Sequence, residues 1–125
     1  MKTLLTAWAF RIVMALFGGT EQVLKVEDYL LGEFDPAAYN FYKNVRSFTF
    51  NVKKKRNVKA VIKADNPIDI AFMSENGVSL LHKQGIKEGT IGPVSTEDNK
   101  EMRIIMGIYP GDKATVSVEV WMDKA

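Results

Sequence analysis

Apolar and polar residues alternate with a period of two through much of the chain beyond residue 46. Phe48, Phe50 and Val52 are interleaved with Ser47, Thr49, Asn51 and Lys53. Alternation of this kind puts one side of a strand on a core and the other in water. Val58, Ala60, Ile62 and Ala64 repeat the device against Asn57, Lys59 and Lys63, which makes Lys53 to Asn57 a hairpin tip between two strands. Asp65-Asn66-Pro67 then breaks the run, because proline has no N–H for a ladder. Ile68, Ile70 and Phe72 mark a third strand, Glu75-Asn76-Gly77 predicts a tight type I′ turn, and Val78 to His82 follows as a fourth strand. Between Lys83 and Asn99, the glycines at 85, 89 and 92, Pro93 and the polar run Ser95 to Asn99 read as loops around one short strand. Met102, Ile104, Met106 and Ile108 share one face, Pro110-Gly111-Asp112 turns the chain, and Ala114, Val116, Val118, Val120 and Met122 share another. These last two strands are expected to form a hairpin.

Upstream the pattern is less regular. Val23, Leu24, Val26, Tyr29, Leu30, Leu31 and Phe34 predict a strand or two before the Asp35-Pro36 turn, and Tyr39, Phe41 and Tyr42 fall in a short helix or irregular loop. Short strands joined by turns, with no alternating helices, predict a mainly β chain: an antiparallel, jelly-roll-like β-sandwich of about seven or eight strands, preceded by a short apolar helix.

That N-terminal segment, residues 1–19, runs apolar from Leu4 to Phe17, broken by Thr6 and Arg11, and stops at Gly18-Gly19. Fourteen helical residues cover roughly 21 Å, short of the ~20 residues that span a bilayer. Three readings stand: a helix docked on the domain, an export signal with Arg11 inside its apolar stretch, or a membrane-surface or partner-binding helix. In the last, Leu4, Leu5, Trp8, Phe10, Ile12, Val13, Leu16 and Phe17 are the docking residues. Residues 20–125 form the single folded domain.

Ser47-Phe48-Thr49-Phe50-Asn51-Val52, Val58-Lys59-Ala60-Val61-Ile62, Ile68-Asp69-Ile70-Ala71-Phe72 with Glu75-Asn76-Gly77, and Gly107-Ile108-Tyr109-Pro110-Gly111 before Val116-Ser117-Val118-Glu119-Val120 are together similar to the layout of GOLD-type and bacterial pre-peptidase C-terminal sandwiches. The resemblance covers about residues 46–122 and implies a non-catalytic module of a secreted or membrane-bound protein. The chain departs from the GOLD type in having no cysteine. Likeness of fold does not transfer function.

Composition adds the size of the core and the absence of thiol chemistry. With 125 residues, 46% hydrophobic and 26% charged, the chain can bury one core without staples. Without cysteine there is no disulfide, thiolate zinc site or thiol nucleophile. His82 is the sole histidine and has no accompanying nucleophile motif, so no catalytic residue is assigned and the chain is expected not to be an enzyme. Glu27-Asp28, Glu97-Asp98-Glu101 and Asp69 with Glu75 lack the Asp/Asn ladder of a calcium loop. Gly18-Gly19 lacks the Lys-Ser/Thr of a phosphate loop. No metal or cofactor is expected.

Charge is the one feature above background. Residues 1–63 carry eleven basic and five acidic groups, a difference of +6, and residues 64–125 carry six and ten, a difference of −4. From Pro36 to Ala64 there are eight basic residues and no acidic one. Lys53, Lys54, Lys55 and Arg56, with Lys59 behind them, are therefore candidates for contact with anionic headgroups, each charge contributing about 1 kcal/mol, or with a nucleic-acid backbone. The alternative is an edge guarded by lysines against aggregation. The expected function is a non-catalytic binding module, membrane-associated or exported, with a cytoplasmic setting as the alternative. Its partner is a protein or a membrane surface ahead of nucleic acid. A second reading is a structural subunit of a homo- or hetero-oligomer.

Overall fold

The computed structural model describes residues 20–32 and 44–123. The docking residues Leu4 to Phe17 and the aromatics Tyr39, Phe41 and Tyr42 lie outside them. The described residues form six strands: β1 (Thr20–Leu31), β2 (Val45–Asn51), β3 (Asn57–Met73), β4 (Ser79–Ser95), β5 (Glu101–Gly107) and β6 (Ala114–Asp123). All pairings are antiparallel, in the order β1-β6-β3-β5-β2, with β4 on the other edge of β3.

One bent strand makes the sandwich. The first part of β3 pairs β6 from Val58↔Met122 to Ala64↔Val116, and its last part pairs β5 from Asp69↔Gly107 to Met73↔Arg103. β4 follows β3 along its other edge from Asn57↔Ser95 to Met73↔Ser79. The continuous ladder is thereby folded into two layers, β1-β6-β3-β4 and β2-β5-β3-β4. Between Lys63↔Glu88 and Ile68↔Ile86, β3 carries more residues than β4, and the corner falls at Asp65-Asn66-Pro67. There Asp65 Oδ1 accepts a hydrogen bond from Thr115 N (2.8 Å) and Asn66 Nδ2 donates to Lys113 O (3.1 Å), which fastens the bend to the start of β6. Even-numbered residues point inward before and after it, so Val58, Ala60, Ile62, Ala64, Ile68, Ile70 and Phe72 are all buried.

The core lies between the layers. Val116, Val118, Val120 and Met122 of one meet Phe50, Met102, Ile104 and Met106 of the other, and the Phe50 and Phe72 rings pack edge to face at 6.3 Å. Fully burying side chains of this size stabilises the fold by about 1.5–3 kcal/mol each.

Several expectations change. The expected strands at 58–64 and 68–72 are one strand, because Pro67 sits at a corner where the ladder to β4 is already interrupted. Lys83 to Ser95 is strand as well: β4 pairs β3 only, and an outer strand tolerates Gly85, Gly89, Gly92 and Pro93. These two mergers account for six strands in place of seven or eight. β2 and β3 do not pair, so Lys53 to Arg56 is a crossover between layers and not a hairpin tip. β5 and β6 do not pair either; they lie in succession along one edge of β3. The β3–β4 hairpin does form, but with Gly77 alone at positive φ (82°), whereas type I′ needs positive φ at two central residues. Gly77 N donates to Ser74 O and Ser74 N donates to Val78 O instead.

β1 explains why its alternation was hard to read. Val26 pairs Val118 and Tyr29 pairs Val116, so three steps on β1 match two on β6. Asp28 is the extra residue, held at φ 51° with its N–H donating to Ser117 Oγ (3.0 Å). A bulge of this kind re-aims the residues that follow it. Leu24 and Val26 face inward before it; Tyr29 and Leu31 face inward after it.

Candidate functional site

The basic crossover is held by a buried threonine. Thr96 is 0% exposed; its Oγ1 donates to Lys53 O (2.6 Å) and accepts from Arg56 N (2.8 Å). Thr96 N donates to Arg56 O (2.7 Å), and Lys55 N donates to Glu97 O (2.8 Å) with Lys55 at φ 56°. The link is also tied to the end of β6. Arg56 Nη1 donates to Asp123 O (3.3 Å), and Asn57 gives its N–H and its side-chain amide to the Asp123 carboxylate (3.1 and 3.2 Å). Asn99 extends the network to the β3–β4 turn: its Nδ2 donates to Thr96 O and its Oδ1 accepts from Glu75 N.

Of the four basic residues at this end, Arg56 is half-buried and engaged with β6, while Lys53, Lys54 and Lys55 project into solvent. None of the three ammonium groups pairs with a described carboxylate; the ion pair seen among the described residues is Lys25 with Glu27 (2.8 Å). The same end carries Glu75, Glu97, Asp98 and Asp123, so the lysines stand beside carboxylates. Lys59 is separate: it lies half-buried on the outer side of the first layer, paired across the ladder with Trp121.

A second constellation closes the open side of the sandwich. β1 and β2 are the end strands of the ladder and have no backbone pairing with each other. Tyr29 and Phe48 reach across this seam and meet edge to face, centroids 5.5 Å apart at 90°. Arg46, two residues before Phe48 on the same side of β2, lays its guanidinium over both rings, with Cζ 4.8 Å from the Phe48 centroid and 5.9 Å from that of Tyr29. Its parity is inward, opposite buried Met106, but it sits at the start of β2 where the seam opens, and it is exposed.

At the end opposite the lysines, a shallow depression of about 310 Å³ is lined by Leu30, Leu31, Asp65, Lys113, Ala114 and Thr115. The Asp65 carboxylate there is already engaged with Thr115 N. His82 is exposed on β4, Asp69 Oδ1 accepts from Gly85 N (3.0 Å) and Glu75 Oε2 from Lys100 N (3.3 Å). Among the described residues no three His, Asp or Glu side chains are placed to hold a metal, and no helix is long and apolar enough to cross a membrane.

Sequence reasoning found Lys53 to Lys55 but not the threonine that fixes them, nor the Arg46 stack. Arg46 and Phe48 at i and i+2 share a face by sequence; Tyr29 joins them only through the bulge and the tertiary seam.

No family model and no curated protein matches the chain. Among solved structures, PliG of Aeromonas hydrophila, a periplasmic inhibitor of g-type lysozyme, superposes with a TM-score of 0.57 at 11% identity, covering 87% of this chain and 90% of that one. The CBM36-1 domain of a multidomain xylanase from the hindgut metagenome of Trinervitermes trinervoides reaches a TM-score of 0.45 at 13% identity, covering 86% and 97%. The first likeness shows a shared small β-fold, and the second adds no weight. The resemblance to GOLD-type and pre-peptidase modules accordingly extends to sandwich layout alone.

Proposed function

We propose that this chain is a non-catalytic binding module of an exported protein, and that it acts by seating its rigid surface on a protein partner. The observation that supports this most is the likeness in fold, over 87% of the chain, to a periplasmic protein that inhibits a lysozyme. The local chemistry is compatible with it: the carboxylates of Asp65, Asp69, Glu75 and Asp123 accept hydrogen bonds from backbone N–H groups. A g-type lysozyme is thus the first partner class to test. Cell-wall turbidity assays with g-type and c-type lysozymes are expected to show saturable, stoichiometric inhibition by the full chain in at least one class. Unchanged lysis, with no complex on size-exclusion chromatography, overturns the lysozyme reading.

A second reading is favoured by three exposed lysines on a pinned backbone: contact with an anionic membrane surface through Lys53, Lys54 and Lys55, with Lys59 to one side. Co-sedimentation with phosphatidylserine vesicles is then expected to fall with added salt and to fall several-fold in the Lys54→Glu/Lys55→Glu variant. Stability should stay within about 0.5 kcal/mol, since both side chains are exposed. Indistinguishable curves remove this reading. Docking of Leu4 to Phe17 on a membrane or partner, as in a structural subunit, stands as a proposal on the sequence.

A further inference from the structure

The geometry points to Arg46 as a preorganised receptor for a carboxylate of a protein partner, set in the seam between β1 and β2. Three observations on two strands converge on it. The Asp28 bulge turns Tyr29 toward the seam, β2 presents Phe48 to the same place, and Arg46 at the start of β2 lies over both rings. A guanidinium within about 6 Å of aromatic centroids is held by the ring quadrupole. Holding it there removes much of the rotamer freedom that an exposed arginine would lose on binding.

What the stack leaves free is the hydrogen-bonding fork. Arg56 commits its guanidinium to Asp123 O, whereas no hydrogen bond or ion pair joins the Arg46 guanidinium to any described residue. Five N–H donors in a fixed plane match the two oxygens of a carboxylate. An arginine immobilised beside aromatic surface is also the kind of residue that dominates binding energy at protein interfaces.

The charge of the surroundings selects the ligand. Lys25, the cation of β1, is paired with Glu27, so Arg46 is a single charge over the two rings, unlike the three adjacent lysines of the Lys53 to Lys55 link. One guanidinium beside aromatic carbon suits a singly charged carboxylate better than a phosphate dianion. Structural plugging of the seam needs the rings and the arginine stem, but it gives no role to an uncommitted fork.

The test uses the full chain, labelled with nitrogen-15, titrated at constant ionic strength with benzoate, its neutral isostere benzamide, and inorganic phosphate. The Arg46 Nε–Hε resonance is expected to shift saturably with benzoate, not with benzamide, and to respond several-fold more weakly to phosphate. Arg46→Lys keeps the charge and loses the fork; benzoate binding, read on the Tyr29 and Phe48 ring resonances, should weaken about tenfold. Phe48→Leu keeps the arginine but releases it, and should weaken binding several-fold. If Arg46 responds no more than Arg56 and Arg103, if phosphate equals benzoate, or if Arg46→Lys binds as wild type, the inference is overturned. None of these readouts involves a lysozyme, so failure of this inference and failure of the function proposed above are separable.

Discussion

Replacing Thr96 by valine is expected to destabilise the chain by about 2–4 kcal/mol, although the two side chains have nearly the same shape. The hydroxyl serves Lys53 O and Arg56 N at once from a fully buried position. Valine leaves a carbonyl and an N–H without partners, each costing about 1–3 kcal/mol when water cannot replace the bond. For a domain of this size that corresponds to a fall in melting temperature of roughly 10 °C. Thr96→Ser retains the hydroxyl and should lose no more than about 1 kcal/mol, the value of one buried methyl. Urea unfolding of the two variants separates the cases: the valine midpoint should drop with an unchanged slope. Equal midpoints for valine and serine would mean that water takes over the hydroxyl's role.

Inserting an alanine after Asp28 should be more damaging than any substitution there. It adds a residue that the bulge does not absorb, so Tyr29 and Leu31 would turn to solvent while Leu30 and Gly32 turned inward. Leu31 is 0% exposed, and losing its burial together with that of Tyr29 costs about 4–5 kcal/mol, a large part of a typical domain's stability. Asp28→Gly keeps the residue count and relieves the positive φ of 51°, so it should stay within about 1 kcal/mol of wild type. Circular dichroism and near-ultraviolet tyrosine signals compare the two. An insertion variant as stable as Asp28→Gly would show that β1 can slip on β6 without penalty.

How far the sequence speaks depends on the strand. Every inward position expected in the runs 58–64, 68–72 and 114–122 is buried, because alternation directly reports which side of a pleat is dry. Alternation does not report which strand lies alongside. Phe50 and Ile104 say nothing about each other's element, so proximity in sequence points β2 to β3, whereas its partner is β5. The second half of β4 resembles loop in the sequence because it buries few residues, Ile91 and Val94 among them, and its glycines imitate punctuation. In β1 the alternation is broken twice, between Gln22 and Leu24 and between Val26 and Tyr29. The lysines were legible as a charge run; the seam was not, since it joins residues 29 and 48 through tertiary structure.

The place of β6 in the ladder sets the order in which the molecule can be assembled. It lies between β1 and the first part of β3, so the first of the described strands waits for the last. While residues 20–107 emerge, β3, β4, β5 and β2 can already combine through their mutual ladders, but β1 has no backbone ladder partner and the Val58 to Ala64 edge of β3 stays bare. Contacts that span so much of the chain slow the search for the native state and prolong the exposure of unpaired edges. A nascent chain stopped before Ala114 therefore displays two open β-edges at once, and completing β6 covers both in a single event.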